Sequence, residues 1–147
     1  MHSIDTIDNL LIDELAAAET YCQVLKQLRE NASLGETESL LPIYQDHKTA
    51  VSSLRMQIRE LGGTPVKGSG VWGSWAKLIQ GGAHALGKQA TLKVLQEGEK
   101  RGLADYEQAL QDQELGTQIR SLIEHKLVPA QHAHIATLEK MMSSMAA

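Results

Sequence analysis

Apolar residues recur every three to four positions along almost the whole of this chain, and no stretch alternates with period two. That periodicity specifies amphipathic helices and leaves no strands from which to build a sheet. The first stripe runs Ile4, Ile7, Leu10/Leu11, Glu14, Ala17/Ala18, Tyr21, Val24/Leu25 and Leu28, from a capping Ser3 to about Asn31. A second, Leu40/Leu41, Tyr44, His47, Val51, Leu54, Ile58 and Leu61, stops at Gly62-Gly63, with Pro42 expected in its first turn. The third is Leu92, Leu95, Glu99, Gly102, Tyr106 and Ala109/Leu110. The fourth is Ile119, Leu122, His125, Val128/Pro129, His132, Ile135, Leu138/Glu139 and Met142.

The linkers set the topology. Segments 31–38 and 111–116 are short and polar, so each joins neighbouring antiparallel helices. Segment 62–82 is a long crossover whose middle, 71–79, predicts a short extra helix. Trp72 and Trp75 on it are expected to cap one end of the bundle, with a subunit interface as the alternative. With 147 residues, the chain predicts one domain spanning 1–147, large enough to bury a core unaided. A hydrophobic fraction of 42% excludes a disordered chain. A net charge of −4 argues against a nucleic-acid partner. Lone Cys22 excludes a disulfide scaffold, and its isolation gives it no activating base. No apolar run is long enough for a membrane span, and Met1-His2-Ser3-Ile4-Asp5 does not read as an export signal, so a cytoplasmic setting is expected.

The stripes carry polar residues where a core should be apolar. Displacing the chain by 85 positions aligns Leu10 with Leu95, Glu14 with Glu99, Tyr21 with Tyr106, Leu25 with Leu110 and His47 with His132. Each half therefore has Glu-x6-Tyr on its first helix and a His on its second, the form of a duplicated hairpin. A carboxylate among aliphatic side chains costs several kcal/mol unless it is paired or bound to a cation. Glu14, His47, Glu99 and His132 are thus the candidate metal ligands, a set suited to one divalent Fe, Zn or Mn per chain. Tyr21, Tyr44 and Tyr106 are candidate auxiliaries. A metal-free network of the same groups is the alternative. Glu19 and Glu97 read as surface residues and as fallback ligands, while His134 is expected to face solvent. Asp46, about 100° round the helix from His47, is expected to be poorly aimed. Gly63-x4-Gly68-Ser69 lacks the Lys and the preceding strand of a phosphate loop.

Leu61-Gly62-Gly63-Thr64-Pro65, the Trp-bearing connector, and the stretch from Glu97-Gly98-Glu99 to Tyr106-Glu107-Gln108-Ala109-Leu110 together resemble a bacterial ferritin-like domain of unknown function. The resemblance implies a ferritin-like four-helix bundle. It places Glu14, Glu99, His47 and His132 on four positions of the superfamily's di-iron site and implies redox or iron-handling activity. The carboxylates expected three residues before each His are replaced by Tyr44 and Pro129, which favours one ion over two. The function expected is a small metal-binding protein, a homodimer; the alternative is a non-catalytic interaction module with a degenerate site. No catalytic residue is identified.

Overall fold

The computed structural model describes residues 2–30, 34–67 and 74–146. They form α1 (His2–Glu30), α2 (Leu34–Glu60), α3 (Ser74–Leu110), α4 (Thr117–Leu122), a π turn (Ile123–Leu127) and α5 (Val128–Ala146). There is no strand among the described residues, as the periodicity requires. Ile123 and Val128 keep right-handed helical dihedrals, so α4, the π turn and α5 make one continuous rod. The bundle therefore has four long members.

α2 starts at Leu34, inside the segment 31–38 expected as the loop of the first pair, and it ends in a glycine turn. Gly62 adopts φ +87°, and Gly63 N–H donates to Ile58 C=O at 2.9 Å while Gly62 N–H donates to Arg59 C=O at 3.0 Å. This is a left-handed glycine cap that closes α2. A side chain at Gly63 would strike Ile58 and Ile4, so the start of α1 lies against the end of α2. In the second pair the predicted loop 111–116 is the loop observed. Arg120 spans it, donating to Leu110 C=O at 3.0 Å and Asp112 C=O at 2.6 Å, so a cation satisfies the carbonyl end of α3. α1 packs on α2, α3 on α5, and α1 on α3; α2 and α5 meet more loosely.

Two expectations need correction. Pro42 lies well inside α2, not in its first turn, because the helix starts at Leu34. It is tolerated because Pro42 and Glu38, whose carbonyl it leaves without a helical donor, are both exposed. The extra helix of the crossover is also longer than predicted: helix runs from Ser74 and breaks at Gly87, where φ 76° and ψ 177° belong to a region open essentially to glycine alone. Trp72 and the side chain of Trp75 lie outside the described residues, as do Gly68 and Ser69.

The core is divided in two. One apolar cluster gathers Ile7, Leu11, Leu54, Ile58, Ile119 and Ile123 with their neighbours; the other gathers Val24, Leu28, Leu40, Leu92, Leu95 and Leu138. Buried Glu14, His47, Glu99, Gln131 and His134 fall between them along every helix. Fully burying each aliphatic side chain stabilises by about 1.5–3 kcal/mol, so the two clusters supply the driving force and the layer between them must be held by its own bonds.

Candidate metal centre

Glu99 of α3 is the hub. Its Oε2 lies 2.6 Å from His47 Nε2 of α2, and its Oε1 lies 2.9 Å from His134 Nδ1 of α5. Tyr21 of α1 donates its hydroxyl to the same Oε2 at 2.7 Å. Each imidazole turns its other nitrogen to a further carboxylate: His47 Nδ1 to Glu14 Oε2 at 2.8 Å, and His134 Nε2 to Asp46 Oδ2 at 2.8 Å. The result is a continuous run, Glu14–His47–Glu99–His134–Asp46. Tyr21 stacks on His47 with ring centres 5.3 Å apart, and the two imidazoles lie 4.9 Å apart. Gln131 Nε2 donates to the backbone carbonyl of Glu99 at 2.9 Å, fixing α5 on α3 at the same level. Gly102 makes that approach possible, since a Cβ there would meet Gln131 Nε2 at 2.8 Å.

The charges follow from burial and neighbours. For Glu99 burial acts to raise the pKa, but His47 and His134 outweigh it and bring the carboxyl down to about 2. For His47 burial acts to lower the pKa, yet Glu14 and Glu99 on opposite sides of the ring raise it well above 6.5. With an acceptor at both nitrogens, the ring is an imidazolium that donates twice. Tyr21 and Tyr106 are pushed well above 10, first by burial and then by Glu99 and Glu14 respectively, so both stay neutral phenols. Tyr106 lies beside Glu14 as Tyr21 lies beside Glu99, each phenol serving the other half's carboxylate. The Tyr106 hydroxyl nevertheless makes no hydrogen bond of ordinary geometry.

Among the described residues, ligand atoms of His47, Glu99 and His134 all lie within 4.8 Å of one another, and these three buried side chains can hold a metal ion. The donor set fits a divalent cation: two imidazoles and one carboxylate, with a carboxylate on the far nitrogen of each imidazole, the arrangement that orients histidine ligands around metals.

The structure thus brings together Glu14, His47 and Glu99, along with Tyr21 and Tyr106. Glu14 stands behind His47, however, facing the nitrogen that points away from Glu99. His132 is exposed, and His134 occupies the interior position instead. Asp46, read as misdirected, reaches across to α5. Tyr44 is half-buried beside Cys22 and under Lys48, away from the centre. His125, Glu19 and Glu97 are exposed.

The His132/His134 exchange comes from a change of stride: the predicted stripe steps by three from Ile119 to Val128, whereas the buried positions step by four through the π turn. Buried positions run from Leu115 in the loop to Ile119, Ile123, Leu127 and Gln131 on this rod, four apart each time, then His134 and Leu138. An α-helical stripe of mean spacing 3.6 cannot step by four repeatedly without drifting; a wider turn absorbs the drift. Val128 N–H bonds Ile123 C=O, five residues back, and Pro129 has no N–H to continue the α ladder. One signal for this was present. Two of the chain's three prolines stand five residues before these histidines, Pro42 before His47 and Pro129 before His134. An offset of 87 aligns both pairs, together with Leu40/Leu127 and Val51/Leu138. The second helices of the repeat are displaced by two residues more than the first.

Comparison of the chain with family models, with curated proteins and with solved structures finds no match. No described helix is long and apolar enough to cross a membrane.

Proposed function

We propose that this chain is a small ferritin-like, cytoplasmic protein that binds one divalent ion inside its bundle through His47, Glu99 and His134. The observation that supports it is the shared carboxylate: two buried imidazoles converge on Glu99, and each is backed by a second carboxylate on its outer nitrogen. Glu14 orients His47, Asp46 orients His134, and Tyr21 fixes the rotamer of Glu99. The apolar clusters above and below keep bulk water from the layer. Three protein ligands leave a position open, and a bound ion there supplies Lewis-acid chemistry or, as iron or manganese, redox chemistry.

Metal analysis of protein purified without an affinity tag tests this reading. Near-stoichiometric metal in the wild type, lost in His47→Ala and in His134→Ala, is the expected result. Free ion at 100 times Kd then stabilises the fold by about 2.7 kcal/mol. A specific observation favours a second reading. All four nitrogen–oxygen pairs already close at 2.6–2.9 Å, which a metal-free polar network in a non-catalytic helical module also requires. Metal-free protein whose melting temperature is indifferent to chelator and to added Fe, Mn or Zn establishes that second reading and refutes the first.

A further inference from the structure

The run of hydrogen bonds ends differently at its two extremities. Glu14 has a side chain only 4% exposed, whereas that of Asp46 is 56% exposed. His134, at 4%, stands directly behind Asp46, and Glu99, at 1%, directly behind His134. One hydrogen bond therefore separates solvent from the hub's ligand shell. A groove of about 630 Å³ opens at this point between α2 and α5, and both Asp46 and His134 line it. Its rim carries Glu36 and Glu38 besides Asp46, against Lys140 as the cation. Glu36 is paired with Lys88, 3.0 Å away, which leaves Glu38 and Asp46 as the rim carboxylates set against Lys140. On the opposite side, the His47–Glu14 contact is covered by the stacked Tyr21 ring.

We infer that the groove between α2 and α5 is the route by which a divalent cation reaches the buried centre, with Asp46 as the carboxylate that receives it and His134 as the side chain it must pass. This rests on the metal-site reading and adds a path to it. An acidic rim raises the local concentration of cations, and Asp46 offers the first inner-sphere oxygen. Passage then requires His134 to turn towards the groove that it lines, which breaks its 2.8 Å contact with Asp46 and its 2.9 Å contact with Glu99. The inner face of His134, its Nδ1, is already aimed at Glu99.

A route is distinguished from a ligand by kinetics: obstructing it slows association and release together and leaves Kd alone. The test is stopped-flow loading of the full chain with Co²⁺, whose visible absorption reports an inner-sphere site, paired with release into excess chelator. Ala133→Trp, at an exposed position on the groove, is expected to slow both rate constants by about tenfold and to keep Kd within about threefold. Glu38→Lys, on the rim and away from the ligands, is expected to slow association at low salt and to approach wild type at high salt. Gln108→Trp, on the α1–α3 face, is expected to change neither rate. Unchanged rates in both groove variants, or slowing by Gln108→Trp instead, overturn the route while the metal site stands. Wild-type protein that develops no Co²⁺ absorption overturns the site itself, and the route with it.

Discussion

His47 and His134 perform the same task from opposite hairpins, yet their surroundings differ. His47 sits on an unbroken α-helix between two fully buried carboxylates, under a stacked phenol. His134 follows a π turn and lies between one buried carboxylate and one that is half in water. The first half is locked by its electrostatics, since neither partner of His47 can recruit solvent if the other is lost. The second is adjustable, since Asp46 can rehydrate. A shared hub thus serves one rigid arm and one arm that can open.

Removing the hub affects both arms and has the largest expected effect. Glu99→Ala leaves His47 and His134 without their common acceptor and should destabilise metal-free protein by about 3–5 kcal/mol in urea titrations, with loss of metal binding. Removing each arm singly sharpens the comparison. His47→Ala strands Glu14 and Glu99 in the interior and should cost about 3 kcal/mol or more, whereas His134→Ala should cost about 1–2 kcal/mol, because Glu99 keeps His47 and Tyr21. Equal losses from the two would break the asymmetry.

The pH dependence of metal-free stability carries the same contrast. His47 is raised above its ordinary 6.5, so its contribution is complete below pH 6.5 and is lost as pH rises through the higher folded value. Glu99 is lowered from 4.5 to about 2, so its contribution is complete above pH 4.5 and is lost as pH falls towards 2. Asp13, raised from 3.8 to about 8 by burial and by its carboxyl neighbour Asp105, costs stability progressively across that interval. Denaturation of Asp13→Asn therefore isolates the centre. It should show a maximum between about pH 4.5 and 6.5, and an alkaline decline that disappears in a His47→Ala background.

Smaller effects follow at the open arm. Asp46→Asn should weaken metal binding by about 10–100-fold in competition titrations while changing unfolding free energy by less than about 0.5 kcal/mol, because the residue is half exposed. His132→Ala should leave both affinity and stability unchanged within about 0.5 kcal/mol, as befits an exposed side chain. A metal-dependent defect in His132→Ala would return the ligand role to that residue and remove it from His134.

The locked arm was the legible one. Glu14, Tyr21, His47, Glu99 and Tyr106 all lie on helices that keep an α-helical phase, so counting threes and fours from the apolar residues places each of them inside. The same counting fails after Ile119, where it steps by three while the buried positions step by four through the wider turn, and it selects His132 over His134. Asp46 was misjudged for a different reason. Its direction relative to His47 was read correctly, but its partner belongs to another helix, and adjacency along one helix carries no information about that. Gln131 went unnoticed because its significance depends on the missing side chain at Gly102. The repeated Pro-x4-His spacing was the available clue, and it appears only when the two halves are allowed to slip against each other.

The wider turn before Pro129 has a consequence for how such a chain can change over generations. Adding or deleting one backbone unit there swivels every later side chain by roughly a quarter of a revolution while everything upstream stays in place. A one-residue deletion there would present Ile135, and a one-residue insertion Ala133, in the place that His134 now occupies, so a single codon gained or lost would take the imidazole out of the interior with loop lengths and the partner hairpin untouched.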